Sequence, residues 1–513
     1  MYARVNTASL YGLESRAVHV EVDVGNGLPA FSVVGLANQS IREAKERIRS
    51  AIGHCGYQFP QKRITVNLSP ANRKKEGSHF DLPIAVGLLM STGQIAPEGD
   101  DLSDTALIGE LTLDGRLEPV EGALPLVIGM YKRGVRKMIL PSGNCREAGL
   151  VKGVQLYPAE TLLQAGEHIS GFRRIAPVVA SRSHWTASQE HLPDFSDIRG
   201  QEMVKRAAVI AAAGAHGMLM VGPPGVGKTM IGKRIPGIMP SLTNREQLEI
   251  SQLYSISGLL DSARPFIVRR PFRAPHHSLS AAAMTGGGSR PRPGEISLAH
   301  HGVLFLDELP EFDRRTLDTL RQPMEEGCVT ISRVRDAVTF PAKFVLVAAM
   351  NPCRCGYYGD PVKPCTCSET DRMKYIGRVS GPLLDRIDLH IGMERMVYAE
   401  IDADNSKNSG KTSSELHSEV EEANLRQKHR FRSLSIGFNA GIPPDKLGTY
   451  CRLNTSCRNL VKEAFSRWSL SARGYHRLLR VARTVADLAG REDIREEHLL
   501  EALGYRMPDM GKK

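Results

Sequence analysis

The sequence predicts an α/β protein built around a parallel sheet, and three observations lead to that prediction. The apolar run 218–221 is followed at once by the pattern G-x-x-x-x-G-K-T at residues 222–229. A second apolar run, 303–306, ends in an acidic pair. Short apolar runs of this kind are typical of strands buried on both faces of a parallel sheet. Residues 1 to about 175 alternate between strand and helix patterns, which predicts a further α/β domain in front.

The loop at 222–229 has the composition that phosphate binding requires. Its glycines allow consecutive backbone N–H groups to turn toward an anion, and a helix starting near Lys228 adds its positive end. Lys228 supplies a charge for the β- and γ-phosphates, and Thr229 supplies a hydroxyl for Mg²⁺. The predicted cofactors are therefore ATP and Mg²⁺. The predicted nucleotide contacts come from Gly222, Pro223, Pro224, Gly225, Val226, Gly227, Lys228 and Thr229.

Three polar side chains follow predicted buried strands. Asp307 and Glu308 end the run 303–306, and Asn351 ends the apolar run 344–349. Open α/β sheets bind ligands at the carboxyl ends of their strands. We therefore expect Asp307 to join Thr229 around Mg²⁺, Glu308 to polarise the attacking water, and Asn351 to sense the γ-phosphate.

Length and composition limit the possible classes of protein. A chain of 513 residues is too long for one hydrophobic core, so two to four domains are expected. No apolar run approaches the roughly 18 residues that a membrane span needs, and the first residues lack a signal-peptide pattern. We expect a cytoplasmic protein with no membrane partner. The net charge of +11 permits a polyanionic partner without specifying one.

Composition shifts divide the chain into segments. Residues 1–175 form the front α/β domain, 176–195 a polar linker, 196–395 the ATP-binding core, 396–415 a mobile linker, and 416–513 a helical lid. Within the front domain, residues 17–24, 31–35 and 64–68 are predicted as strands, and 38–52 and 81–90 as helices.

Nine cysteines, an odd number, argue against a disulfide framework. Four of them form two close pairs in the loop 353–367. Two pairs of thiolates match the ligand number of a structural Zn²⁺ site, although C-x-C is tighter than the usual spacing. Reduced free cysteines and a redox pair remain alternative interpretations. The predicted ligands are Cys353, Cys355, Cys365 and Cys367.

Two further segments of the core are predicted to be exposed. Residues 328–333 and 337–340 are expected to form a hairpin, with Arg333 and Arg335 near its tip as candidate contacts to DNA phosphates. The basic stretch 269–300 follows neither helical nor strand periodicity and is expected to be a loop insertion. Histidines in this stretch and directly after it could ligate a metal, although surface or pore-facing positions explain them better: His276, His277, His300 and His301.

Two arginines are candidates for contact with the γ-phosphate. Arg386 lies between acidic residues at the end of the predicted sheet domain, where it could be a salt-bridge partner or an arginine finger for a neighbouring subunit. Arg473 begins a helix of the predicted lid and is expected to approach the same phosphate. Arg477, Arg480 and Arg483 are expected on a solvated or intersubunit face of that helix.

The order of these motifs resembles that of AAA+ ATPases, in the branch that contains the magnesium-chelatase ATPase subunit and MCM helicases. The stretches 272–277 (FRAPHH) and 351–360 (NPCRCGYYGD) extend the resemblance to the YifB/ComM family over nearly the whole chain. The resemblance implies a homo-hexameric helicase that drives branch migration of DNA during natural transformation. Its implied partners are single-stranded, double-stranded or branched DNA, bound without sequence preference.

The front domain resembles the Lon-protease-like domain. His79 stands where that family has its catalytic serine, and Leu124 stands near the expected lysine, so the dyad is expected to be absent. Ser78 and Lys132 leave residual peptidase chemistry as a minor alternative. For the whole chain, two other functions remain open: a magnesium-chelatase-like motor subunit and an ATP-dependent protein remodeller.

Overall fold

The computed structural model describes residues 1–98, 102–178, 193–261, 265–288, 291–332, 337–395, 410–434, 436–468 and 470–506. The chain forms two compact units. The first comprises Met1–Thr186 and Asn244–Val268, and the second comprises Ala187–Thr243 and Arg269–Lys513. The segment Asn244–Val268 falls within the span predicted for the ATP-binding core, yet it belongs to the first unit. Most of the two predicted linkers lies outside the described residues.

Eighteen strands are numbered within the described residues. They are β1 Tyr2–Tyr11, β2 Glu14–Gly25, β3 Ala30–Val34, β4 Arg63–Ser69, β5 Thr105–Leu107, β6 Glu110–Leu111, β7 Leu117–Glu118, β8 Lys137–Pro141, β9 Gln155–Ala159, β10 Met218–Val221, β11 Phe272–Arg273, β12 Gly286–Gly287, β13 Arg292–Pro293, β14 Val303–Leu306, β15 Cys328–Ser332, β16 Ala337–Pro341, β17 Val345–Met350 and β18 Leu389–Gly392.

The helices are numbered in the same way. They are α1 Gln39–His54, α2 Asp81–Ser91, α3 Ala123–Lys132, α4 Cys145–Ala148, α5 Leu162–Ile169, α6 Glu202–Gly214, α7 Lys228–Ile238, α8 Asn244–Ile256, α9 Ala281–Thr285, α10 Glu295–Leu298, α11 Arg314–Asp318, α12 Arg321–Glu326, α13 Glu369–Ile376, α14 Gly381–Leu384, α15 Ser413–Arg430, α16 Leu447–Tyr450, α17 Thr455–Trp468, α18 Ala472–Leu488 and α19 Glu496–Gly504.

The first unit is organised around a seven-stranded mixed sheet with the order β3-β4-β2-β1-β5-β8-β9. β1 and β2 form a long antiparallel hairpin whose register runs from Tyr2 opposite Asp23 to Tyr11 opposite Glu14. β5, β8 and β9 continue the sheet as parallel strands. Apolar side chains that alternate along β2 and β4 are buried and pack with α1 and α2 in one apolar core, as the period-2 pattern predicts.

Helix α8 completes the first unit, although the chain reaches it only after the phosphate-binding segment. It packs against α3. The hydroxyl of Ser255 donates to the buried carboxylate of Glu147 over 2.7 Å, and the N–H of Gly122 donates to the carbonyl of Ser255 over 3.1 Å. A buried carboxylate without such partners is costly, so these bonds fix α8 in place.

The second unit contains a five-stranded sheet with the order β11-β14-β17-β10-β18, in which every pairing is parallel. β10, β14 and β17 are buried at every residue, as expected for strands covered on both faces. The helices after residue 410 pack with α6 and α7 in one apolar core. This is the predicted α/β architecture with a helical C-terminal part.

The basic stretch that was predicted to be a loop insertion contains short regular elements, β11, α9, the β12–β13 pair and α10. Elements of two to five residues are too short to give a sequence periodicity. Among the residues that the structure describes, no helix is both long enough and apolar enough to cross a membrane.

Candidate active site

The phosphate-binding loop joins the buried strand β10 to helix α7. Gly225 and Gly227 have φ values of +83° and +92°, a region that residues with a side chain rarely adopt. Gly227 is also the N-cap of α7. These dihedrals explain why positions 225 and 227 are glycine. The loop leads into the N-terminus of α7, where an anion is favoured.

Lys228 is held at the centre of the loop. Its Nζ donates to the carbonyls of Gly222 at 2.6 Å and Pro223 at 2.9 Å, and to Oδ1 of Asn351 at 3.0 Å. Burial lowers the pKa of Lys228, and the nearby carboxylates of Asp307 and Glu308 oppose that shift. The structure therefore brings together the predicted lysine and the predicted γ-phosphate sensor.

Thr229 and Asp307, the two predicted Mg²⁺ ligands, also meet. The hydroxyl of Thr229 donates to Oδ2 of Asp307 over 2.7 Å. They come from the start of α7 and from the carboxyl end of β14, so their contact depends on the parallel pairing of the sheet. A hydroxyl and a carboxylate at this separation are suitable oxygen donors for Mg²⁺. The residues present therefore fit a nucleotide with its Mg²⁺.

Glu308, the predicted catalytic base, is exposed beside this pair. Its backbone has φ +53°, a left-handed conformation that is uncommon and costly for a residue with a side chain. Its N–H donates to Oδ1 of Asp307 over 2.9 Å. The left-handed backbone therefore occurs at the residue that directly follows the Mg²⁺ ligand candidate Asp307.

His277 is a site residue that the sequence reasoning missed. Its Nδ1 lies 3.4 Å from Oε2 of Glu308, and its side chain is 35% exposed. His277 follows β11, which pairs in parallel with β14. Since neighbouring parallel strands end at the same edge, the position of His277 after β11 was the signal that could have identified it.

The four cysteines lie together in the loop that follows Asn351. The sulfur atoms of Cys353, Cys355 and Cys365 are 3.3 to 3.6 Å apart. All four thiols, with Cys367, lie within 4.8 Å of one another. Four sulfurs around one Zn²⁺ at about 2.3 Å would be roughly 3.8 Å apart, so the cluster has the size of a tetrahedral zinc site.

The electrostatics of the loop also suit a metal. Burial acts to raise the pKa of Cys355, but hydrogen bonds from backbone N–H groups and neighbouring thiols outweigh it and lower the pKa to about 5. The thiolate is the form of cysteine that ligates metals. Burial, followed by the contact with Cys355, raises the pKa of Cys353. The donor set therefore fits Zn²⁺ in number and spacing, with Cys355 as the ligand most readily ionised.

Arg386 and Arg473 share one acceptor. Nη2 of Arg386 lies 2.6 Å from Oε1 of Glu325, and Nη2 of Arg473 lies 3.0 Å from the same atom. Arg386 also donates to the carbonyl of Pro382 over 2.7 Å. The Arg386 side chain is only 11% exposed. The two arginines predicted to act on a phosphate are therefore adjacent, and Glu325 is a second residue that the sequence reasoning missed.

Arg477, Arg480 and Arg483 were predicted on a solvated or intersubunit face, and the solvated alternative is wrong. Arg483 is among the largest fully buried side chains and pairs with Asp487 at 3.0 Å. Arg480 donates to the carbonyl of Ile442, and Arg477 donates to that of Ile387. These arginines satisfy buried acceptors of the second unit, which a helical charge pattern alone does not distinguish from a solvated face.

In the first unit, His79 is buried and its Nε2 lies 2.8 Å from the carbonyl oxygen of Ala8. Leu124 is fully buried in α3. The hydroxyl of Ser78 donates to Glu110, and Lys132 is exposed at the end of α3. The structure gives Ser78 a carboxylate as partner, and no contact between Ser78 and Lys132 occurs among the described residues.

The predicted hairpin is present as β15 and β16, paired from Cys328 opposite Pro341 to Ser332 opposite Ala337. Arg333 and Arg335, the candidate DNA contacts, lie outside the described residues. Their role therefore stays a prediction.

Three family models match the chain. Residues 20–144 match "Subunit ChlI of Mg-chelatase", residues 194–401 match "Magnesium chelatase, subunit ChlI", and residues 410–506 match "Magnesium chelatase, subunit ChlI C-terminal". The segment matched at residues 194–401 contains the phosphate loop, the acidic pair and the four cysteines.

Individual relatives match over a longer span. The competence protein ComM of Haemophilus influenzae is 41% identical over 508 residues, which covers 98% of this chain and 97% of that protein. The uncharacterized protein YifB of Escherichia coli is 41% identical over 507 residues, again 98% and 97%. The magnesium-chelatase 38 kDa subunit of Cereibacter sphaeroides is 24% identical and covers 61% of this chain.

Proposed function

The chain belongs to the ComM/YifB family of AAA+ proteins, and from that premise we propose that it is a hexameric, ATP-driven DNA motor. It binds DNA without sequence preference and promotes branch migration during natural transformation and recombination. The observation that carries the proposal is the 41% identity, over 98% of this chain, to a relative named as a competence protein. The geometry at the phosphate loop supports the ATP-driven part.

Each residue of the site has a separate role in ATP hydrolysis. Bound ATP with Mg²⁺ supplies the phosphoryl bond whose hydrolysis drives the motor. The backbone of the loop 222–229 binds phosphate oxygens, and Lys228 exchanges its carbonyl contacts for these more strongly charged acceptors. Thr229 and Asp307 would hold Mg²⁺ through their oxygens. Glu308 takes the proton of the attacking water, and Asn351 orients Lys228.

His277 contributes to the orientation of Glu308. A carboxylate on a strained backbone needs a partner to select one rotamer, and the imidazole at 3.4 Å provides it. This contact keeps Oε2 of Glu308 on the side of β11, which leaves Oε1 for the water.

Arg386 completes the site of a neighbouring copy. An arginine finger stabilises the charge of the transition state and contributes about 10³–10⁵ in rate in P-loop enzymes. The shared contact with Glu325 presents Arg386 and Arg473 as one cationic group. A head-to-tail interface between copies would bring that group to the next phosphate loop, and such interfaces close into rings.

The four cysteines hold one Zn²⁺ per chain. Ligation would fix a loop that otherwise has few apolar contacts. Elemental analysis of protein purified without added metal is expected to give one zinc per chain, and to give none once Cys365 and Cys367 are both serine. Zinc at the same level in that double variant would contradict the assignment. Cys451 and Cys457, which are buried elsewhere, are suitable control positions.

A magnesium-chelatase-like motor subunit is the second candidate function, because all three matching family models describe that enzyme. The two functions differ in what stimulates ATP hydrolysis. We expect a four-way DNA junction to raise the ATPase rate, and neither a magnesium-chelatase partner subunit nor unfolded protein to do so. Stimulation by the chelatase subunit without stimulation by DNA would favour the second function.

A further inference from the structure

The loop 353–367, which we call the four-cysteine loop, contacts the phosphate-binding loop 222–229 directly. Gly356 lies so close to Pro224 that a Cβ on Gly356 would stand 2.8 Å from Cδ and 2.9 Å from Cγ of the proline. Side-chain carbons do not approach one another this closely. The contact therefore exists only because Gly356 has no side chain, and any shift of the four-cysteine loop changes the packing of Pro224.

A second connection runs through Asn351. This residue precedes Cys353 by two positions and accepts a hydrogen bond from Nζ of Lys228 over 3.0 Å. The first metal ligand and the partner of the catalytic lysine are therefore separated by Pro352 alone. A change in the position of Cys353 is transmitted to Asn351 through the backbone.

The two loops also enclose a cavity of about 490 Å³. The lining includes Gly222 and Pro223 of the phosphate loop, Tyr358 and Asp360 of the four-cysteine loop, and Met393 and Arg395 from the segment after β18. Asp360 pairs with Arg395 at 3.3 Å across this cavity. Residues of the four-cysteine loop therefore line a cavity beside the phosphate loop, in addition to packing against Pro224.

From these contacts we propose that metal binding at the four cysteines and nucleotide binding at the phosphate loop are thermodynamically coupled. The proposal rests on the zinc site of the proposed function. Zinc fixes the four-cysteine loop, and through Gly356 and Asn351 it fixes Pro224 and Lys228. Binding a nucleotide to an ordered loop loses less conformational entropy than binding to a mobile one, so zinc raises the affinity for ATP.

Coupling between two sites is reciprocal. If zinc tightens nucleotide binding by some factor, the nucleotide must tighten zinc binding by the same factor. Coupling energies between protein sites typically correspond to factors of about 5–150. We expect a factor in this range, because the contact is direct and involves two separate connections.

The test uses the full-length protein in two states, metal-free after treatment with chelator and reductant, and loaded with Zn²⁺. The dissociation constant of a fluorescent, non-hydrolysed ATP analogue is measured for both states. Zinc affinity is then measured against a chromophoric chelator, with and without the same analogue. Zinc is expected to lower the dissociation constant of the analogue by about 5-fold or more. The analogue is expected to lower the dissociation constant of zinc by the same factor. Far-UV circular dichroism of both states checks that the helices and strands remain folded.

Two glycines of the loop provide a matched pair of variants. Gly356 and Gly359 have φ values of +87° and +79°, so alanine strains the backbone to a similar degree at either position. Only Gly356 faces Pro224, because no atom lies within 4 Å of an added Cβ at Gly359. The coupling ratio is the dissociation constant of the analogue without zinc divided by that with zinc. We expect this ratio to keep its wild-type value in Gly359→Ala and to fall toward one in Gly356→Ala. If Gly356→Ala fails to bind zinc, the wild-type ratios decide the question by themselves.

The outcomes separate this proposal from the one on which it rests. Equal nucleotide affinity with and without zinc overturns the coupling and leaves the zinc site intact. Failure of the wild-type protein to bind zinc overturns both. Failure of both states to bind the ATP analogue overturns the coupling together with the proposed ATP-driven function.

Discussion

At the scale of single residues, the site is organised by contacts between strand ends. Lys228 and Thr229 are consecutive at the start of α7, yet each contacts a residue from a different strand end, Asn351 after β17 and Asp307 after β14. Burial lowers the pKa of Lys228, and the carboxylates of Asp307 and Glu308 oppose that shift. The roles of binding phosphate and activating water are therefore assigned to different side chains and can be separated by substitution.

Lys228→Ala is expected to weaken binding of the ATP analogue, because the phosphates lose their principal cation. Glu308→Gln is expected to keep that affinity and to lower the hydrolysis rate by about 10²–10⁴, since a positioned general base contributes that much. Binding isotherms and steady-state ATPase rates measure the two effects. Glu326→Gln, an exposed carboxylate whose partner is Gln322, is the control. Wild-type hydrolysis by Glu308→Gln would show that another group is the base.

At the scale of secondary-structure elements, α12 connects two predicted activities. It carries Glu325, which holds Arg386 and Arg473. It ends at Gly327, in the left-handed conformation with φ +67°, and β15 of the hairpin begins at the next residue. A movement of the arginine pair is therefore transmitted to the base of the hairpin through a single short helix.

Glu325→Gln is expected to lower kcat at least 10-fold while leaving KM for ATP within about 2-fold. Without the carboxylate, two guanidinium groups repel each other and lose the fixed geometry that transition-state stabilisation needs. The matched control is Glu326→Gln on the same helix. A larger KM with unchanged kcat would mean that Glu325 supports nucleotide binding instead of positioning the arginines.

The hairpin formed by β15 and β16 is expected to contact DNA phosphates through Arg333 and Arg335. Replacing both by alanine should reduce the slope of log affinity against log salt by roughly two, since each phosphate contact on duplex DNA contributes about 0.9. Replacing both by lysine keeps the charges and should keep the slope. Fluorescence anisotropy at a series of salt concentrations measures it. An unchanged slope in the alanine variant would exclude the hairpin as the contact.

At the scale of the whole molecule, the chain leaves the second unit after α7 and returns to it before β11. The segment between, Asn244–Val268, is part of the first unit. Five residues separate the end of α7 from this segment, and three residues separate the segment from β11. The chain thus passes between the two units at two places in addition to the predicted linker.

Activity is expected to require a ring if Arg386 acts, as proposed, on the site of a neighbouring copy. Arg386→Ala and Lys228→Ala should each be inactive alone. When equal amounts are mixed and reassembled, roughly a quarter of the interfaces pair an intact Lys228 with an intact Arg386, as follows for a head-to-tail ring. Partial ATPase activity should then return. The control is one chain that carries both substitutions, and native mass spectrometry verifies assembly.

No recovery in verified mixed rings, with full activity in wild-type monomers, would show that Arg386 does not act across an interface.

The sequence by itself determined the parallel sheet, the phosphate loop and the grouping of polar residues at the strand ends. These features are local: Gly225 and Gly227 specify dihedrals, apolar runs specify buried strands, and parallel strands end at one edge. The four cysteines lie within fifteen residues of one another, from Cys353 to Cys367, so their spacing also indicated a common site.

Only the tertiary structure decided the rest, because those features depend on contacts between residues far apart in the chain. No periodicity or motif in the sequence indicates that Asn244–Val268 belongs to the first unit. The same holds for the shared contact at Glu325 and for the approach of His277 to Glu308. Arg483 has the same sequence pattern whether it is solvated or buried against Asp487. The contact between Gly356 and Pro224 joins two loops 132 positions apart, and side-chain packing alone selects it.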